Sequence, residues 1–324
     1  MSAIGLAASE SSASASPLQK PIPVILDSDM GDDIDDTWAL GLLLRCPELD
    51  LKLVLTDFGK PEYRAKLTAK LFTRMGHGNI PVGLGVASTP PNTNPQEAWC
   101  ADFALDKYRG KVHQDGVKAL IDLVMKSKER ITIIAIGPVT NLAAALDREP
   151  RIAERANIVG MHGSVRRGYG NKTTPDPEWN VLSDIKACQR VFTAAWPICI
   201  TPLDTCGRVN LGGERYQKLL KSSDPIAKTV LENYEVWERF QSKKPELTLN
   251  QKQSSTLFDT VAVYLAATQK TGRDLIKMET LGIRVDDKGF TREEANAKRI
   301  EVATEWKNLD GFYDLLVDRL TRGK

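Results

Sequence analysis

The stretch VILDSDMGDDIDDTWALGLLL, residues 24–44, decides how this chain is read. An apolar run ends in Asp27 and Asp29, a turn follows at Gly31, and an apolar helical pattern begins at Asp35. Six aspartates, Asp27, Asp29, Asp32, Asp33, Asp35 and Asp36, fall within ten residues. One or two acids suit a helix N-terminus, each contributing about 0.3–1 kcal/mol. Six crowded together repel unless a cation or protons intervene. The economical answer is a hard divalent metal, Ca²⁺ or Mg²⁺, held by oxygen. No Cys/His spacing nearby supports zinc. The competing reading makes several of the acids helix caps and solvated loop charges. In an extended LDSD, Asp27 and Asp29 face one side, and Asp35 and Asp36 open the helix beyond. Four carboxylates, Asp27, Asp29, Asp35 and Asp36, are therefore placed to converge, with Asp32 and Asp33 on the turn between.

Outward from this junction, strand-like and helix-like segments alternate. IPVILDS, DLKLVLT, IPVGLGV, ITIIAIG, ANIVGM and PICITPL read as strands. Helical patterns cover residues 35–45, 62–75, 116–127, 140–147 and 184–195. Short β-rich runs separated by helices imply βαβ units around an open, mostly parallel sheet with flanking helices, a Rossmann-like α/β class. After Asp204 the pattern turns helical, over 213–220, 225–241 and 256–269. A β segment with a turn at DDKG, the run RIEVATEW and a helix over 311–320 follow. These additions are expected to pack onto the sheet, giving one domain over 21–324. STPPNTNPQEAW reads as a surface loop rather than a linker, since the alternation resumes after it. Ligands of open α/β sheets bind beyond the carboxyl ends of strands, where the aspartates sit.

Composition narrows the function classes. The formal net charge is +2 over 324 residues, with no long Lys/Arg run, so nucleic acid is not an expected partner. No apolar run reaches 18 residues, so no membrane-spanning helix is expected. The five cysteines are odd in number, widely spaced and without a CxxC, which supports neither a disulfide framework nor a zinc site. The Ser/Ala-rich residues 1–20 read as a disordered tail. ASASA resembles a signal cleavage site, but the charged n-region is missing, so the compartment, cytoplasmic or exported, stays open.

Two other Asp-x-Asp chemistries fit less well. Dehalogenase-type phosphotransferases follow the pair with Thr or Val, where this chain has Met30 and Gly31. Glycosyltransferase motifs do not require the second pair, Asp35 and Asp36. DSDMGDDIDDTWAL instead resembles the signature of the inosine–uridine-preferring nucleoside hydrolase family, Asp-x-Asp-Pro-Gly-x-Asp-Asp-Ala, with Met30 for the proline and Asp32 and Asp33 inserted. Four more blocks resemble that family in order: IAIGPVTNLAAAL (134–146), IVGMHGS (158–164), NKTTPDPEWNVLSD (171–184) and PLDTC (202–206).

The resemblance implies the nucleoside hydrolase fold, Ca²⁺ as cofactor, and hydrolysis of a ribonucleoside to ribose and free base, in nucleoside salvage. It implies that Asp29 is metal ligand and general base, Asp36 a bidentate ligand, and Asp35 an acceptor from the 2′-hydroxyl. Asp27 would support them from behind. The Ile136 backbone carbonyl and Asp259, in TLFDTVAVYLA, would complete the metal's ligands, Asp259 also facing the sugar. Glu178, Asn180, Asn171 and the Met161 backbone would hold the ribose. A homodimer or homotetramer is the assembly that relatives suggest. Two positions depart: Phe258 replaces the family histidine that protonates the leaving base, and Lys60 falls near a ribose-binding asparagine. His162 is a candidate substitute acid, and Tyr234, Trp237 and Phe240 are aromatic candidates for the base pocket. Trp179 is expected to be packing, and His77 and His113 to be surface residues. A ribose- or nucleoside-binding protein without catalysis, and a hydrolase of an atypical N-riboside, are the alternatives.

Overall fold

The apolar run that ends in the first aspartates becomes the central strand of a ten-stranded sheet. The computed structural model describes residues 20–88 and 94–322. The expected tail, up to residue 19, lies outside the described residues, as does the middle of the proline-rich loop. In chain order the strands are β1 (Ile22–Ser28), β2 (Leu49–Thr56), β3 (Val82–Leu84), β4 (Val112–His113), β5 (Ile131–Ala135), β6 (Ala156–Met161) and β7 (Ile198–Thr201). They continue as β8 (Asn210–Gly212), β9 (Gln253–Thr256), β10 (Ile276–Val285), β11 (Thr291–Glu293) and β12 (Arg299–Trp306). The sheet runs β11-β10-β12-β7-β6-β5-β1-β2-β3-β4, and β8 pairs with β9 separately. From β12 to β4 all neighbours are parallel; β10 is antiparallel to both its partners.

Strand alternation divides the core between the two faces. Val24 and Leu26 point into one apolar cluster with the helix Asp35–Leu44, while Ile25 points into the other with Leu53 and Ile133. The chain runs from β1 outward through β2 and β3, then returns to β5 on the other side of β1. This reversal leaves a crevice at the carboxyl ends of β1 and β5, where ligands of such sheets bind. The register sets Asp27 opposite both Leu55 and Ala135, so the residues that follow each strand meet there.

The expected α/β architecture is the one observed, with differences at the margins. The strand read over 80–86 pairs only over Val82–Leu84, and the two-residue β4 beyond it carried no sequence signal. The helix read over 256–269 begins at Thr260, because Gln253–Thr256 is drawn into pairing with β8. The last helix runs Leu309–Thr321, its Gly311 N–H held by Asn308 Oδ1 at 2.9 Å. Among the described residues no helix is long and apolar enough to cross a membrane.

Candidate active site

A cavity of about 290 Å³ opens at the crevice between β1 and β5. Asp29, Asp32, Asp33, Asp35, Asp36 and Asp259 line it, with Ile136, Met161, Glu178 and Asn180. Tyr169, Trp179, Phe240 and Phe258 supply rings, and Pro95 and Gln241 complete the wall.

The strand ends are fixed by backbone bonds: Ile136 N–H to the Asp27 carbonyl and Asp57 N–H to the Ser28 carbonyl, both 2.8 Å. The chain then reverses at Gly31, whose φ of +98° belongs to the region glycine tolerates. Asp32 N–H closes the turn on the Asp29 carbonyl at 3.0 Å. Buried Arg64 pins this turn: it donates to the carbonyls of Asp29, Met30 and Phe58 and pairs with Asp32 across 3.6 Å. Gly137 is required for a different reason, since a Cβ there would stand 2.8 Å from Asp29 N and 2.9 Å from Asp29 Oδ1.

Asp35 and Asp36 occupy the first turn of the helix Asp35–Leu44, and Asp259 precedes the helix Thr260–Ala267. Oxygens of Asp35, Asp36 and Asp259 all lie within 4.8 Å of one another. Ser28 donates to Asp36 Oδ1 at 2.5 Å, and Asp259 N–H to Asp35 Oδ2 at 3.2 Å. Burial holds Asp29, Asp35, Asp36 and Asp259 well above the ordinary carboxylate range, and repulsion among them raises them further. Such a set of buried, mutually repelling oxygen donors fits a hard divalent cation.

Asp27 sits behind the wall. Burial pushes it up to about 7, opposed by the Asn141 amide, which donates to it at 2.7 Å and to the Thr56 carbonyl at 3.1 Å. Glu178 is buried too and pushed up to about 7, opposed by N–H donors from Gly163, Asn180 and Val181. The Asn180 amide spans the carbonyls of Ile136 (3.2 Å) and Met161 (3.0 Å), joining the ends of β5 and β6.

Not every residue singled out in the sequence reaches the cavity. Asn171 is exposed at φ +62°, its Oδ1 accepting from Arg167. Tyr234 is buried edge-on against Trp38 and accepts from Ser255 N–H, and Trp237 packs beside it. His162 lies behind the wall, with Nε2 3.0 Å from the Gly137 carbonyl and its ring edge-on to Phe192. Burial lowers it to about 4, so its imidazole is neutral near pH 7. Lys60 is exposed and off the wall. His77 and His113 are half-buried rather than surface residues. Conversely, Trp179 is not core packing; it stands 43% exposed at the cavity, edge-on to Phe58. Its place between Glu178 and Asn180 was a usable signal. For Tyr169 there was none, because contacts with Trp179 and the distant Phe258 bring it in.

A profile of the family described as "Inosine-uridine preferring nucleoside hydrolase" matches residues 24–314. The chain belongs to that family. It is 30% identical over 230 residues to the pyrimidine-specific ribonucleoside hydrolase RihA of Enterobacter sp. (strain 638), covering 65% of this chain and 69% of that one. It is 31% identical over 203 residues to the non-specific ribonucleoside hydrolase RihC of Klebsiella pneumoniae, covering 60% and 65%. The fold is shared with the plant nucleoside hydrolase PpNRh1 (TM-score 0.79, 21% identity, covering 94% and 100%). It is also that of the inosine-uridine preferring nucleoside hydrolase of Bacillus anthracis (TM-score 0.73, 21% identity, covering 93% and 99%). This nucleoside hydrolase homologue has six aspartates at the crevice and, among the described residues, no histidine on the cavity wall.

Proposed function

We propose that this protein hydrolyses the N-glycosidic bond of a ribonucleoside, giving ribose and free base. The observation that carries the reading is the meeting of Asp35, Asp36 and Asp259 on one cavity wall, facing Glu178, Asn180 and four rings. Asp29, Asp35, Asp36, Asp259, Glu178 and Asn180 are buried while Trp179 and Phe240 are exposed, a division that suits a sugar held inside and a base held outside.

Asp29, Asp36, Asp259 and the Ile136 carbonyl would hold Ca²⁺. When bound, that ion would grip the vicinal hydroxyls and acidify a water. Asp29 takes the proton from the attacking water. Asp35 accepts from the 2′-hydroxyl, and its carboxyl oxygen lies within 4.8 Å of those of Asp36 and Asp259. Glu178 and Asn180 orient the ribose. As the C1′–N bond breaks, positive charge grows on the sugar, and the surrounding carboxylates favour it, as in glycosidases.

Release of reducing sugar from a nucleoside panel tests the proposal. It should be abolished by chelator and by Asp29→Asn; absence of turnover of every riboside by metal-replete protein would overturn it.

A further inference from the structure

Among the described residues the cavity wall carries seven carboxyl side chains and not one lysine, arginine or histidine. A divalent cation neutralises two charges, so the wall stays negative. Among the described residues no basic group lines the wall to receive a phosphate, and buried Arg64 behind it is engaged by carbonyls and Asp32, which disfavours nucleotides as substrates.

Proton donors for a departing base are equally scarce. Carboxylates that hold a cation are ionised, and Glu178 accepts N–H bonds on both oxygens, which favours its ionised form. Asp32 pairs with Arg64, and Asp33, accepting from Ile34 N–H on one oxygen, is the one acid left with a free oxygen among them. The Asn180 amide is engaged by two carbonyls. Tyr169 accepts from Trp179 N–H at 2.9 Å, and burial raises its phenol above the ordinary value, making it a weak acid. Phe258, edge-on to Tyr169 at 6.1 Å between centroids, offers only hydrocarbon.

The rings point to what the mouth receives. Among the described residues three large apolar side chains are exposed, and two of them, Trp179 (43%) and Phe240 (46%), stand on this cavity. Aromatic faces beside a negative wall attract a flat cation by both ring quadrupole and charge. Resting on the hydrolytic reading above, we propose that the preferred substrate is a riboside whose base is a permanent cation, a pyridinium or an N-alkylated purine. The C1′–N bond breaks with its electron pair passing to nitrogen, which discharges the ring. The base then leaves neutral, with no proton required. Water supplies the new C1′–O bond, and its proton passes to Asp29 and on to solvent.

The test compares 3-carbamoylpyridinium riboside with inosine and uridine on the Ca²⁺-loaded protein. General acid catalysis typically contributes about 10²–10⁴-fold, so the neutral nucleosides should lag by at least about 100-fold in kcat/KM. To separate recognition from intrinsic lability, 3-carbamoyl-1-methylpyridinium is compared with its neutral isostere 3-methylbenzamide as competitive inhibitor. The cation should bind roughly 5–30-fold more tightly. Phe258→His should narrow the cation-to-neutral ratio of kcat/KM at least tenfold, a change that loss of packing alone would not produce. Neutral nucleosides turned over within tenfold of the cation, or equal inhibition by the two isosteres, overturns the proposal. If that neutral turnover disappears in Asp33→Asn, proton donation belongs to Asp33 instead. Failure of every riboside, charged or not, overturns the hydrolytic reading itself.

Discussion

Ser28 donates its hydroxyl proton to Asp36 Oδ1 at 2.5 Å, tying the end of β1 to the first turn of the following helix. Ser28 Oγ also accepts from Met30 N–H at 3.0 Å, so one small side chain holds both the turn and a proposed metal ligand. Partners that orient ligands typically matter about 10–100-fold in metal affinity or activity. Ser28→Ala should therefore weaken Ca²⁺ binding roughly tenfold or more in a calorimetric titration, with the fold intact by circular dichroism. Unchanged affinity would remove Ser28 from the ligand-positioning role.

Asp35 gives a prediction that changes sign with the metal. Its buried carboxyl is repelled by Asp33 and Asp29. Without a cation that repulsion is uncompensated; with one, the same charge is favourable. Asp35→Asn should raise the melting temperature in chelator by about 2 °C or more. In saturating Ca²⁺ the variant should melt below the wild type. Calorimetric scans in the two buffers decide it; a shift of the same sign in both would contradict the charge argument.

The metal-free protein should also lose stability as pH rises. Burial lifts Asp27 from 3.8 and Glu178 from 4.5, each to about 7 in the folded chain. Between about pH 4 and 7 the folded state therefore binds more protons than the unfolded one, and unfolding free energy falls with pH. The slope is at most about 1.4 kcal/mol per pH unit for each group. Saturating Ca²⁺ should oppose this slope, since its carboxylate ligands bind only when ionised. Urea unfolding at pH 5 and 7, with and without chelator, measures both; a metal-free chain more stable at pH 7 would refute the assignment.

Arg64 holds three carbonyls and Asp32 from a buried position. A lysine carries the charge but lacks the planar fork that reaches several acceptors at once. Arg64→Lys should cost roughly 2–3 kcal/mol in urea unfolding, through carbonyls left unsatisfied. It should also loosen the turn that carries Asp29, lowering kcat more than it raises KM for riboside hydrolysis. Stability within 0.5 kcal/mol of wild type would show that water replaces the guanidinium at roughly no cost.

The parts legible in the sequence were those whose chemistry is local. Asp29, Asp35 and Asp36 stand out because six acids at a strand–helix junction need an explanation that neighbours in the chain can supply. The alternation of strands and helices is equally local, and the sheet follows from it. What escaped, including which of the three candidate rings on one helix faces the cavity, is set by distant contacts. Phe240, in the last turn of the helix Pro225–Ser242, reaches the cavity, whereas Tyr234 and Trp237 on the same helix turn to the core. Helical spacing alone does not say where a helix outruns the helices it packs against. Asn171 sits in a matching block, yet a positive φ turns it outward to Arg167. Tyr169 is held at the cavity by Trp179 N–H on its hydroxyl and by Phe258, distant in the chain, edge-on to its ring.

The sharpest geometric test is Gly137→Ala, which adds one methyl group. Gly137 follows β5 where Asp29 follows β1, and its missing side chain leaves the space that Asp29 fills. A Cβ there would lie 2.8 Å from the Asp29 amide nitrogen and 2.9 Å from its Oδ1, closer than such atoms approach. Asp29 has little freedom to retreat, because its own carbonyl is held by Arg64 and Asp32 N–H. The carboxylate must then move by a fraction of an ångström to an ångström, and misplacement on that scale costs about 10²-fold in rate. Gly137→Ala should therefore lower kcat for riboside hydrolysis about 100-fold. Binding of the free base as an inhibitor should change little, since the rings stand on other elements. Wild-type kcat in a folded Gly137→Ala protein would mean that Asp29 is not the base.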